Sequence, residues 1–196
     1  TATWFPDGSG GYYGWTPIGY MNGSNYVDFG GNYDGQNHTI SNLYINRTNT
    51  DEIGLFGGNS GGSVTNLGVT NVSFTGKQYA GIFGYIYGGC TITNCYSTGT
   101  ITATDSYIGG LVGNDDGNTS GDNLISNCYS TCTVSGVNYI GGLIGYSDGT
   151  NSKTITDCYA AGSVTATGTN AMAGGLISYI GNGTIDRCYS TGNVSC

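Results

Sequence analysis

The chain has 196 residues, 12 acidic and 4 basic side chains, and a net charge of −8; only 8% of it is charged, against about 25% in typical soluble domains. Arg47, Lys77, Lys153 and Arg187 form no cluster, which argues against a nucleic acid or an anionic membrane as partner, and no apolar run approaches the roughly 18 residues of a spanning helix. The 38 glycines, set among abundant Thr, Val, Ile and Tyr, point to short strands between tight turns and to an all-β fold.

In chain order, residues 1–31 carry Trp4, Phe5, Pro6, Tyr12, Tyr13, Trp15 and Pro17 and are predicted to form an aromatic N-terminal cap or first partial coil. The start Thr1-Ala2-Thr3 reads as a processed chain or a fragment, which suits export. Residues 32–196 are predicted to be repeats. One phrase recurs six times: Ile40-Ser41-Asn42-Leu43, Val64-Thr65-Asn66-Leu67, Ile92-Thr93-Asn94-Cys95, Ile125-Ser126-Asn127-Cys128, Ile155-Thr156-Asp157-Cys158 and Ile185-Asp186-Arg187-Cys188. Successive copies lie 24, 28, 33, 30 and 30 residues apart, a period typical of solenoids and arrays.

Alternation after each phrase assigns the two faces. Cys95, Ser97, Gly99, Ile101 and Ala103 share one side, as do Cys128, Ser130, Cys132, Val134 and Gly136, then Cys158, Ala160, Gly162, Val164 and Ala166, then Cys188, Ser190, Gly192, Val194 and Cys196. These are predicted to point inward, and Tyr, Thr and Ser outward. An inward Ile three residues before an inward Cys breaks period two, so the chain must bend near Asn94 and its equivalents, where Asn is tolerated.

A second phrase precedes each copy from the second onward: Ile53-Gly54-Leu55-Phe56-Gly57, Ala80-Gly81-Ile82-Phe83-Gly84, Gly109-Gly110-Leu111-Val112-Gly113, Gly141-Gly142-Leu143-Ile144-Gly145 and Gly174-Gly175-Leu176-Ile177-Ser178. Short strands flanked by glycines can pair only with the next repeat. The predicted fold is therefore a parallel β-helix (β-solenoid) of about six coils, right-handed by the usual preference of parallel connections.

The Gly-Gly-Leu-Ile/Val-Gly phrases, followed by Asn94-Cys95-Tyr96-Ser97-Thr98-Gly99 and Asn127-Cys128-Tyr129-Ser130-Thr131, resemble GLUG-motif proteins; the entry Trp15-Thr16-Pro17-Ile18-Gly19 and Asp34-Gly35-Gln36-Asn37-His38-Thr39-Ile40 extends the likeness over about residues 15–196. The resemblance implies exported bacterial or archaeal surface proteins, including adhesin-like proteins and the non-catalytic N-terminal parts of IgA-specific metallopeptidases. It brings no catalytic residue. Ser178 departs from the pattern by replacing the final Gly.

Candidate sites are few. Cys95, Cys128, Cys158 and Cys188 would stack on adjacent rungs within disulfide reach, with Cys90, Cys132 and Cys196 completing an odd set of seven; a reduced apolar column is the other reading. Asp115, Asp116 and Asp122 sit in one acidic turn that either holds calcium or is simply solvated. The sole histidine, His38, has no partner for zinc or for catalysis and is assigned a structural role. Asn22, Asn37, Asn46, Asn71, Asn118, Asn182 and Asn193 head glycosylation sequons. No catalytic or cofactor-binding residue is assigned.

The expected function is a non-enzymatic extracellular or cell-surface structural protein, an adhesin module or fibre subunit that associates end to end. A surface glycan or host-surface ligand is the expected external partner. A carbohydrate-binding or carbohydrate-active β-helix is the alternative, and an ice-binding threonine face a weaker one. Paired carboxylates about 5–9.5 Å apart would favour the enzyme.

Overall fold

The structure, a computed structural model, describes residues 12–22, 25–117 and 121–196. Among these, every regular element is a β-strand, and the strands coil into a parallel β-solenoid of about five turns, where the sequence predicts about six coils. The coil at residues 108–137 shows how one turn is built. Ile108–Gly109 runs into Val112–Asp116, and the coil continues with Asn123–Ser126, a bend at Asn127, and Tyr129–Ser130 and Thr133–Gly136. Tyr139 turns the chain into the next coil.

Equivalent strands pair in parallel from rung to rung. Phe56–Ser60, Phe83–Tyr87, Val112–Asp116, Ile144–Asp148 and Ile177–Ile180 form one five-stranded sheet, and Ile108–Gly109, Ile140–Gly141 and Ala173–Gly174 a second. The strands on either side of the Asn bend join a 14-stranded sheet. Among the described residues, the strands Tyr20–Asn22 and Asn25–Val27 pair antiparallel, as does the isolated bridge Gly14–Ile45.

The interior follows the predicted parity. Val64, Ile92, Ile125 and Ile155 stack in register and are at most 1% exposed. Phe74, Ile101, Val134 and Val164 do the same. Each such side chain, fully buried, contributes about 1.5–3 kcal/mol. The rung at 173–195 keeps the parity but not the burial: the interior Ile185 is 44% and Val194 45% exposed.

The bend is as predicted, and its cause is explicit. Asn66, Asn94, Asn127, Asp157 and Arg187 all take left-handed φ values, 55°, 54°, 52°, 55° and 48°, a region where Asn and Asp carry the smallest penalty after Gly. The first phrase, however, belongs to a different corner. Tyr33 pairs with Val64 and His38 with Leu67, whereas Ile40 and Ser41 pair with Val69 and Thr70. Asn42 and Asn71, at φ 59° and 52°, mark this second bend, and Asn71 Nδ2 donates to Asn42 Oδ1 at 2.6 Å. Two corners share one Ile/Val-Ser/Thr-Asn signal, so spacing alone assigned the first copy to the wrong one.

The described part of the N-terminal segment lies against the first rung. Trp15 N donates to Tyr44 O and Ile18 N to Leu55 O, while Gly57 N donates to Ile18 O. Trp15 Nε1 reaches Leu55 O at 3.3 Å, and Arg47 Nε donates to Trp15 O at 3.2 Å. Trp4, Phe5 and Pro6 lie outside the described residues.

Candidate functional site

The outward columns are bonded mainly to themselves. Tyr96, Tyr129, Tyr159 and Tyr189 stack in one ladder with ring centroids 4.9, 4.8 and 5.2 Å apart and planes within 7°. Its first ring leans over Gly68, where any Cβ would strike it, and the Tyr96 hydroxyl lies 3.1 Å from Thr39 Oγ1. Beside it, Thr102 and Ser135 hydroxyls lie 3.1 Å apart and Ser195 Oγ is 3.2 Å from Thr165 Oγ1. The bend residues continue the pattern: Asn94 Nδ2 donates to Asn66 Oδ1 and Asn66 Nδ2 to Asp34 Oδ1, both at 3.0 Å. In the last two rungs Arg187 holds Asp157 through Nε and Nη2 at 2.6 and 2.7 Å, which keeps the Asp157 carboxyl below its usual range.

A second tyrosine ladder went unread in the sequence. Tyr79, Tyr107 and Tyr139 occupy left-handed corners at φ 52°, 67° and 56° and stack at 5.2 and 5.1 Å. Its signal was the recurring Tyr79-Ala80-Gly81, Tyr107-Ile108-Gly109 and Tyr139-Ile140-Gly141. Tyr85 and Tyr146, on the outer face of the five-stranded sheet, meet these rings edge-on.

Here the outward column reads Gly58, Tyr85, Asn114, Tyr146, Tyr179. Asn114 is shorter than its tyrosine neighbours and leaves a notch of about 150 Å³ lined by Asn114, Asp115, Asp116, Tyr146 and Asp148. Tyr85 OH donates to Asp116 Oδ2 at 2.5 Å and Tyr146 OH to Asp148 Oδ2 at 2.9 Å. Asp148 is held below its usual range by the Gly149 N–H and by Tyr146, while burial and Asp148 push the Tyr146 hydroxyl upward.

The three carboxylates read as a calcium candidate are not brought together. Asp115 is fully buried, taking hydrogen bonds from Asn123 Nδ2 at 2.5 Å and Ser147 Oγ at 2.9 Å; burial raises its pKa against those bonds and the pull of Lys153. Asp116 faces outward to Tyr85, and Asp122 accepts Ser152 N at 3.0 Å across the loop. Among the described residues no three His, Cys, Asp or Glu side chains converge as metal ligands. His38 is exposed on the first rung. The interior Lys153, 1% exposed, donates to Asn151 O at 3.2 Å; no periodicity in the sequence marks it or Asp148.

The seven cysteines are free thiols. Cys95, Cys128, Cys158 and Cys188 do stack as a column, each backbone N–H of the first three lying 3.4 Å from the next sulfur. Each thiol also faces a carbonyl two residues back, as Cys128 Sγ faces Ser126 O at 3.1 Å and Cys158 Sγ faces Thr156 O at 3.0 Å. Burial raises the pKa of Cys128 and Cys132 and takes Cys90 to about 11. Cys196 is exposed.

Of the sequons, Asn37, Asn71, Asn182 and Asn193 are exposed and Asn46 is half-buried. Asn182 Nδ2 donates to Thr150 O at 3.0 Å, and Asn71 Nδ2 is taken by Asn42 as above. The Asn22 side chain and Asn118 lie outside the described residues. At the one departure from the glycine phrase, the Ser178 hydroxyl donates to Gly145 O, so the corner is bonded rather than broken.

Fold and surface together define a parallel β-solenoid whose outward polar groups are largely satisfied by one another. Within that class, residues 169–195 match the GLUG motif, in agreement with the phrases that suggested it. Halomucin of Haloquadratum walsbyi is 41% identical over 86 residues, which are 43% of this chain and 1% of halomucin. A crystal structure of a Bacteroides ovatus protein, provisionally named an immunoglobulin A1 protease, superposes with a TM-score of 0.75 at 27% identity, covering 92% of this chain and 56% of that one. The chain thus spans only part of either relative.

Proposed function

We propose that this chain is a non-enzymatic structural segment of an extracellular or cell-surface protein, a solenoid spacer of the adhesin or fibre type that associates end to end. The observation that carries the reading is the self-satisfaction of the outer columns. Tyr stacks on Tyr, hydroxyl meets hydroxyl and Asn bonds Asn between rungs, which stiffens a rod and leaves few groups poised to act on a substrate. The match to halomucin, whose name describes a mucin, supports an exported setting.

Asp116 and Asp148 are register partners, about 4.8 Å apart by strand spacing, near the separation of a retaining glycosidase pair. An acid catalyst there needs a raised carboxyl, whereas Asp148 is held down and Asp116 already accepts the Tyr85 proton. The pair is built to accept hydrogen bonds, not to donate a proton.

End-to-end association would extend the columns of Ile185, Tyr189 and Val194, which stack in register on the preceding rung. Sedimentation velocity is expected to show concentration-dependent assembly that the double variant Ile185→Lys, Val194→Lys abolishes. A chain that stays monomeric at all concentrations, or a double variant that assembles like the parent, removes the end-to-end part of the reading. Hydrolysis of a polysaccharide that Asp148→Asn abolishes would overturn the non-enzymatic part.

A further inference from the structure

We propose that the notch at Asn114, Asp116 and Asp148 is a binding site for a calcium-class divalent cation. This goes beyond the structural reading and does not depend on it. The site lies between adjacent rungs on the outer face of the five-stranded sheet, with a volume of about 150 Å³.

Its chemistry is one-sided. The Tyr85 and Tyr146 hydroxyls spend their protons on Asp116 and Asp148, so the two carboxylates and the Tyr146 phenol oxygen that line the notch present lone pairs to it. Asn114, only 8% exposed, adds a buried Oδ1 with no hydrogen-bond partner, an acceptor that is costly to leave unmet. A buried acceptor left unmet in a notch of acceptors calls for a ligand that brings positive charge.

The charge balance says the same. In-register like charges repel, and the nearby ammonium, Lys153, is turned inward to Asn151 O and acts on Asp148 and the interior Asp115 together. The donor set is oxygen throughout, carboxylate, amide carbonyl and phenol, which favours a hard cation over zinc or copper. A notch of about 150 Å³, with room for water beside few protein oxygens, suits calcium better than the strict octahedron of magnesium. The calcium candidate read from the sequence shared only Asp116 with this set as a ligand; the partners come from the same rung and the next one, not from the loop.

Calorimetric titration of the full chain with calcium chloride tests the site, with circular dichroism confirming that each variant is folded. One equivalent is expected to bind with a dissociation constant of about 10⁻⁴–10⁻³ M, the range of extracellular modules. The isosteric Asp148→Asn is expected to weaken binding at least tenfold and Asn114→Leu similarly, while Asp122→Asn, on the neighbouring loop, leaves it unchanged. If Asn114→Leu does not fold, Asp148→Asn decides alone. The proposal is overturned by no saturable binding up to about 10 mM, by parental affinity in Asp148→Asn, or by loss of binding in Asp122→Asn. Saturable binding of tetramethylammonium in place of calcium would also overturn it.

Discussion

A single left-handed residue governs the bend at each of Asn66, Asn94, Asn127, Asp157 and Arg187. Asn94 sits at φ 54° with its side chain outward and bonded to Asn66, so its conformational tolerance and its hydrogen bond can be separated. Asn94→Gly keeps the first and loses the second, and is expected to cost less than about 1.5 kcal/mol, the net worth of one hydrogen bond. Asn94→Val loses both and adds a β-branched penalty, for an expected extra loss of about 1–2 kcal/mol. Urea denaturation of the two variants checks this; equal stability would mean that left-handed backbone is not what selects Asn. Glycines act at close approach instead: a Cβ on Gly142 would collide with the Gly175 carbonyl and the Ala160 methyl. Gly142→Ala is expected to destabilise by about 1–3 kcal/mol.

At the scale of the element, the ladder is the unit of stability. Tyr129 stacks on Tyr96 and Tyr159 at once, each contact worth about 0.5–1.5 kcal/mol, so Tyr129→Ala is expected to cost about 1–3 kcal/mol. The terminal Tyr189→Ala loses one contact and should cost about half as much; equal losses in thermal melts would mean that stacking is not the source. The thiols make a pH prediction. Cys90 is protonated in the fold up to about 11, whereas an unfolded thiol ionises near 8.5. Because the folded state holds its proton longer, the stability is fully present below the unfolded value and is lost as pH rises from there through about 11, by up to about 1.4 kcal/mol per unit. Denaturation curves between pH 8 and 11 should show that fall in the parent and a smaller one in Cys90→Ala.

On the scale of the whole molecule, burial accumulates only by stacking, as in other one-dimensional arrays. The uncovered rung at 173–195 shows this directly, with the same residue types and parity as inner rungs but exposed side chains. Local pattern determined a good deal: strand parity, the inward Cys and Ile columns, the bend at Asn94 and its equivalents, and the parallel solenoid itself, because period-two alternation and a residue tolerant of positive φ are properties of short segments. Tertiary structure decided what depends on register between coils. It moved Ile40-Ser41-Asn42-Leu43 to a second corner, buried Asp115 and Lys153, separated Asp115 and Asp122 from Asp116, and set Asp148 beside Asp116 across 32 residues of chain. The physical reason is that a rung has no partner within its own sequence. Which side chains meet is fixed by how many residues each intervening loop adds before the next rung comes into register, a length with no energetic signature of its own until the coils stack.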